Sequence, residues 1–110
     1  MKNKQEGRLL TEAQFQEWLR QLALTLGWLY YHTHRSIHSP AGFPDAVLVK
    51  PPRIIFAELK ASGNQPTEDQ WMWLYTLQHC PGVECYLWYP EDRDFIEVNL
   101  QNKLKELGID

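Results

Sequence analysis

Residues 42–60 read GFPDAVLVKPPRIIFAELK, in which two consecutive prolines separate two apolar runs. Both runs are rich in β-branched residues, which favour strands, and a proline cannot donate to a ladder of strand hydrogen bonds. The segment therefore predicts a β-hairpin with strands at Asp45–Lys50 and Arg53–Lys60.

The register of this hairpin brings acidic and basic side chains together. A turn that is symmetric about the two prolines pairs Lys50 with Arg53. The same register sets Asp45 opposite Glu58, where Cβ atoms lie about 5 Å apart. Residues two apart in a strand share a face, so Lys60 points the same way as Glu58. We therefore expect two carboxylates and an ammonium group to converge at the open end of the hairpin.

This cluster has the composition of a divalent cation site. Two close carboxylates repel each other unless a cation or a proton lies between them. Oxygen ligands suit Mg²⁺ or Mn²⁺, which keep several waters and bind substrate phosphate. The preceding residues hold the first acid rigidly, because Pro44 fixes its own φ and makes Phe43 extended. The alternative is an amphipathic strand with a solvated Glu-x-Lys.

The rest of the chain predicts capped helices and further strands. Thr11 with Gln14, and Thr67 with Gln70, have the spacing of a capping box at a helix start. The predicted elements outside the hairpin are a helix at 11–26, a strand at 28–33, a helix at 67–78, a strand at 83–89 and a short helix near Asn99 to Leu107. This order, α-β-β-β-α-β, predicts a mixed α/β sandwich whose helices cover a mixed central sheet.

Length and composition allow a single domain over residues 1–110, with residues 1–10 as a loose polar leader and residues 91–110 as a polar tail. The chain is 44% hydrophobic and 23% charged, as in an ordinary globular domain, which excludes disordered and collagen-like classes. No apolar run approaches the roughly 20 residues of a membrane span, and the basic start lacks the apolar stretch of a signal peptide. Two cysteines suit a reducing cytoplasm.

The net charge is −3, from 11 Lys and Arg against 14 Asp and Glu. This argues against a protein that bulk positive charge holds on nucleic acid. It remains compatible with a nuclease, whose acidic site lowers the net charge while a local basic patch contacts the substrate.

A basic, hydrogen-bonding cluster lies just before Asp45, in residues 32–38 (HTHRSIH). Such groups contact phosphates and position a nucleic acid without reading its sequence. We therefore expect His32, Arg35 and Ser36 to contact the substrate, and Gly42 to permit its close approach. The alternative is a polar loop beside an edge strand, which fits His38 better.

Residues 42–45 (GFPD) followed by residues 58–60 (ELK) resemble the signature of the PD-(D/E)XK nucleases, and specifically that of the VRR-NUC family. Similar residues outside the signature are 27–33 (GWLYYHT), Ser36, Gln70 and 82–90. The resemblance extends over roughly residues 11–94. It implies a restriction-endonuclease-like fold and a stand-alone, metal-dependent endonuclease of the phage or bacterial type. Relatives of this compact form are associated with dimeric cleavage of branched DNA, as in Holliday junction resolvases.

The chemistry and the resemblance together suggest a role for each residue. Asp45, Glu58 and the backbone carbonyl of Leu59 would hold Mg²⁺, which polarises the scissile phosphate and lowers the pKa of an attacking water. Lys60 would orient or deprotonate that water, or stabilise charge on the phosphate. Gln70 would bind the water or the phosphate, or would only complete its capping box.

A further acid is expected from the first helix, because related nucleases often place a glutamate from that helix near the metal. Glu12 is the preferred candidate, although the helix dipole also explains an acid in the first turn. Gln16 shares the face of Glu12, and Glu17 lies on a neighbouring face. A zinc site at His79, Cys80 and Cys85 is not expected, because their spacing matches no usual ligand pattern.

Residues 71–75 (WMWLY) are apolar around the whole helix, which therefore needs cover on more than one side. We expect a second copy of the chain to supply it, because a four-way junction also needs two symmetric cuts. The sequence thus predicts a Mg²⁺- or Mn²⁺-dependent endodeoxyribonuclease that acts on branched DNA as a homodimer. The alternatives are a nuclease for flaps, nicks or plain duplex, and a catalytically silent nucleic-acid-binding module of the same fold.

Overall fold

A computed structural model describes residues 9–34 and 37–102. The elements in chain order are α1 (Glu12–Thr25), β1 (Leu29–His32), β2 (Ala46–Lys50), β3 (Arg53–Leu59), α2 (Glu68–Gln78), β4 (Glu84–Trp88) and α3 (Arg93–Leu100), with one 3₁₀ turn (Pro90–Asp92) before α3. The first six elements match the predicted ones to within one residue at each end. The chain is therefore a mixed α/β fold with a four-stranded mixed sheet and three helices.

The four strands form one sheet in the order β1-β2-β3-β4. β1 with β2 and β2 with β3 are antiparallel, whereas β3 and β4 are parallel. Lys50 pairs with Arg53, and Ala46 pairs with Ala57, so the predicted register of the hairpin is confirmed. The next position of this register is Asp45 opposite Glu58.

Both predicted capping boxes are present. In α1, the Thr11 hydroxyl accepts a hydrogen bond from the Gln14 N–H at 3.1 Å, and the Gln14 side chain accepts one from the Thr11 N–H at 2.9 Å. Thr67 and Gln70 make the same pair of bonds at 3.2 and 2.8 Å at the start of α2. These bonds satisfy orphan N–H groups and fix where each helix begins, which places Glu12 and Gln70.

The two faces of the sheet pack against different helices. One face of the sheet packs against α1 and α3, and together they form the main core. Its buried side chains include Phe15, Leu19, Leu48, Ile55, Leu59, Trp88, Ile96 and Leu100. The alternate strand positions face α2. There Phe43 packs edge-on against Phe56 of β3 and Trp73 of α2, with ring centroids 6.0 and 5.1 Å apart.

The C-terminal segment differs from its prediction. A polar tail with a short helix near Asn99 to Leu107 was expected, but α3 begins at Arg93 and ends at Leu100. Ile96 and Leu100 are buried in the main core, and the Trp28 indole N–H donates to the Leu100 carbonyl at 3.0 Å. Two apolar residues four apart suffice to dock this helix, although the segment is polar on average. Residues 103–107 lie outside the described residues.

Within the described residues, no helix combines the length and the apolar character that crossing a membrane requires. Cys80 is exposed and Cys85 is buried, and both are free thiols.

Candidate active site

Asp45 lies where three strands come together. Its backbone carbonyl accepts a hydrogen bond from the Thr33 N–H at 2.8 Å, just beyond the end of β1. Its side-chain Oδ2 accepts one from the Leu59 N–H at 2.9 Å, at the end of β3. The neighbouring Pro44 is buried. The carboxylate is thus held against the open end of the hairpin, where the register of the sequence places it.

Glu58 is a buried acid that lies beside the carboxyl group of Asp45. It is 1% exposed, and neither of its oxygens accepts a hydrogen bond from an N–H or hydroxyl group of the described residues. The nearest cation is Lys60, whose Nζ lies 3.7 Å from Oε2. The pKa of Glu58 is raised to about 8, first by burial and then by the charge of Asp45 and a hydrogen bond with its carboxyl group, while Lys60 opposes the shift. A buried charge with one distant partner is costly, so this group calls for a proton or a bound cation.

Glu12 belongs to the same electrostatic cluster. It is partly buried in the first turn of α1, and its pKa is raised by burial and by the charge of Asp45, while Lys60 lowers it. Glu17, in contrast, is exposed and accepts hydrogen bonds from Arg20 and Gln21 at 2.7 to 2.8 Å. The structure therefore brings Glu12, and not Glu17, to the hairpin acids. Gln16 is partly buried in the same helix.

Gly42 sets the approach of the loop before Asp45 to α2. Its φ is +95°, and a Cβ at this position would lie 2.5 Å from the backbone carbon of Asp69. Any side chain would therefore push the loop away from the first turn of α2. This packing brings Gln70 to the same cavity as Asp45. Gly42 also lines that cavity, so its structural role and its predicted proximity to substrate are compatible.

An open cavity of about 540 Å³ lies beside Asp45. Its aromatic walls are Tyr31, Phe43 and Trp73, and its polar walls include Thr33, His34, Asp45 and Gln70. The Thr33 hydroxyl oxygen is buried and has no hydrogen-bond partner among the described residues. Thr33, Tyr31 and Trp73 were missed as site residues. Thr33 reaches the site because the β1–β2 register of the structure continues to Thr33 opposite Asp45, and no sequence pattern predicted a register for this pair of strands.

The predicted phosphate contacts are placed only in part. His32 pairs with Ala46, whose side chain belongs to the main core, so His32 and Thr33 point to opposite faces of the sheet. The Nδ1 atom of His32 is buried without a partner among the described residues, and its ring lies 5.1 Å from that of His34. Arg35 and Ser36 lie outside the described residues.

The donor set is small for a metal centre. Among the described residues, no group of three or more His, Cys, Asp or Glu side chains is arranged to hold a metal ion. The hairpin offers two carboxylates and a main-chain oxygen instead. Because the Leu59 N–H points at Asp45, the carbonyl of the same extended residue lies along the same edge of β3. This all-oxygen set fits Mg²⁺ or Mn²⁺, which keep several water ligands.

Comparison of the sequence with protein-family models gave no match, and comparison with curated proteins gave none either.

Proposed function

We propose that this chain is a Mg²⁺- or Mn²⁺-dependent endonuclease that hydrolyses phosphodiester bonds in DNA. The observation that best supports this is the buried carboxyl group of Glu58, which accepts no hydrogen bond from an N–H or hydroxyl group of the described residues and lies beside Asp45 and Lys60. A protein that used this end of the sheet only for stability would gain by an apolar residue at this position. A cation ligand accounts for an acid there.

Asp45, Glu58 and the Leu59 carbonyl would hold the metal. When bound, the ion polarises the scissile phosphate and lowers the pKa of an attacking water. The Leu59 N–H keeps one Asp45 oxygen in place, and the second oxygen is left for the ion. The raised pKa of Glu58 means that metal binding displaces a proton from this pair.

Lys60 supplies the positive charge of the site. Its side chain is 13% exposed and lies 3.7 Å from Glu58, so a phosphate oxygen at this end of the sheet would meet a partly desolvated ammonium group. Charge stabilisation is strongest at such a water-poor position. Glu12 would accept a hydrogen bond from a water in the site, and the Gln70 amide N–H would donate one.

The fold supports a restriction-endonuclease-like architecture of the VRR-NUC type. The hairpin delivers the two acids and the lysine from adjacent strand ends, α1 delivers Glu12, and α2 delivers Gln70. The sequence resemblance at residues 42–45 and 58–60 points to the same family. On this basis the proposed substrate is branched DNA, such as a four-way junction, in the cytoplasm of a bacterial or phage-infected cell.

We also propose that the working form is a homodimer through the outer face of α2. Trp71, Met72 and Tyr75 share this face and are 47%, 67% and 67% exposed. Two copies would supply two sites for two symmetric cuts.

Light scattering after size-exclusion chromatography should give twice the mass of one chain, and Met72→Glu should give the mass of one. A monomeric wild-type protein at all accessible concentrations would contradict this.

The test of the activity is cleavage of labelled four-way junction, flap, linear duplex and single strand in Mg²⁺, Mn²⁺ or EDTA. The variants are Lys60→Ala and, as a control that removes an exposed cation paired with Glu17, Arg20→Ala. Paired cuts in the junction alone, lost in EDTA and in Lys60→Ala, would establish a junction resolvase. Cleavage of the other DNA structures would support the nuclease activity and assign it a different substrate. Binding of DNA without metal-dependent cleavage would contradict the proposed nuclease activity and favour a catalytically silent nucleic-acid-binding module.

A further inference from the structure

The cavity beside Asp45 has features that phosphodiester hydrolysis does not require. The reaction needs a phosphate, a cation and a water, whereas this cavity adds aromatic walls at Tyr31, Phe43 and Trp73. Its volume of about 540 Å³ lies within the range of roughly 300–1,000 Å³ of pockets that bind small organic molecules. The cavity therefore offers space for a part of the substrate other than the phosphate.

The charge of the cavity argues for a neutral occupant. Asp45 is an acid in its wall, and no Lys or Arg is among the described residues that line it. A second phosphate would meet this carboxylate, and His34 is the only basic side chain among the described lining residues. A nucleobase is neutral, flat and polar at its edge, and it stacks on aromatic side chains whatever its identity.

The aromatic walls of the cavity include one ring held in place and one exposed ring. The Trp73 indole N–H donates to the Ala41 carbonyl at 3.1 Å, and Phe43 packs edge-on against the indole at 5.1 Å, so this ring is fixed in place. Tyr31 is 60% exposed on the edge strand. The Thr33 hydroxyl, buried and without a partner among the described residues, provides a hydrogen-bonding group for the edge of a base.

We propose that this cavity binds one unpaired nucleobase of the nucleotide next to the scissile phosphate. The proposal rests on the nuclease function and adds a substrate requirement to it. A base inside a duplex is stacked and paired, so it can reach the cavity only if it is extruded or already unpaired. The site would then select DNA with an unpaired nucleotide at the cut, which branch points, bulges and single strands provide.

The test uses three labelled DNA duplexes of the same sequence: fully paired, with a single-nucleotide bulge, and with the same bulge carrying an abasic residue. The abasic bulge keeps the phosphates and the bend but removes the base. Cleavage in Mg²⁺ and anisotropy binding in EDTA are measured for each duplex. The variants are Tyr31→Ala and, as a matched exposed aromatic outside the cavity, Phe95→Ala.

The expected result is binding and cleavage of the bulge roughly tenfold better than of the abasic or paired duplex, as stacking of one base would give. Tyr31→Ala should reduce this preference, and Phe95→Ala should retain it. Base-dependent binding without any cleavage would support the base-binding role of the cavity and contradict the proposed nuclease activity. Cleavage or binding that is equal for the bulge and the abasic bulge would overturn the base-binding role, whatever becomes of the nuclease.

Discussion

Glu58 is the residue at which stability and function conflict. When ionised, this carboxylate opposes folding, because it is 1% exposed, lies 3.7 Å from Lys60 and accepts no hydrogen bond from an N–H or hydroxyl group of the described residues. Strain of this kind is typical of functional sites, where the surrounding structure over-determines an unfavourable group. Here the hairpin pairing and the main core on the opposite face of the sheet hold Glu58 in place.

Glu58→Gln should stabilise the metal-free protein by about 1 kcal/mol at pH 8, because a neutral amide loses less solvation than an ionised carboxylate. The same change should abolish any increase of Tm with Mg²⁺. Urea unfolding and thermal melts in EDTA and in Mg²⁺ measure both effects. Asp94→Asn, an exposed acid on α3, is the control. A destabilised Glu58→Gln protein that still responds to Mg²⁺ would contradict the account.

The raised pKa of Glu58 also predicts how stability changes with pH. Between its ordinary value of 4.5 and about 8, the carboxyl is protonated in the folded chain and ionised in the unfolded chain. The folded state then binds more protons, so this group makes the free energy of unfolding fall as pH rises through that window. The difference between the wild type and Glu58→Gln should show this fall in EDTA from pH 5 to 8, and Mg²⁺ should reduce it. An increase of that difference with pH in EDTA would contradict the assignment.

At the scale of the elements, Gln70 has two roles that one substitution can separate. Its side chain completes the capping box of α2, and it also lines the cavity beside Asp45. A glutamate completes a capping box equally well but cannot donate a hydrogen bond. Gln70→Glu should therefore leave the free energy of unfolding within about 0.5 kcal/mol of the wild type and reduce cleavage of DNA at least tenfold. Unchanged cleavage would leave Gln70 as a cap only.

The sequence predicts these elements where local rules determine them. Alternation, the two prolines and the capping spacing fix the hairpin and the starts of α1 and α2. The start of α3 was missed, because its burial depends on only two apolar residues in a polar segment. The cavity was missed as well, since it forms only when α2 and the loop at Gly42 pack together, which no local pattern shows.

At the scale of the whole molecule, acids are concentrated where the proposed DNA substrate would approach. The net charge of −3 gives no general attraction for a polyanion, and Glu12, Asp45 and Glu58 share one end of the sheet. Binding of DNA should therefore become tighter when a cation neutralises this end, and local basic side chains should supply the binding that remains in EDTA. In the proposed complex, one end of the sheet would hold the metal and the base, and the outer face of α2 would contact a second copy.

The central claim is that Asp45 and Glu58 hold a divalent cation, and paramagnetic broadening by Mn²⁺ tests it most directly. Mn²⁺ is added to the ¹⁵N-labelled protein, and the backbone amide signals are compared with those of Glu58→Gln. We expect the amide signals of Asp45 and of residues 58–60 to broaden first in the wild type. In Glu58→Gln this selective broadening should be lost. Broadening that is spread over the surface acids, or that persists unchanged in Glu58→Gln, would contradict the central claim.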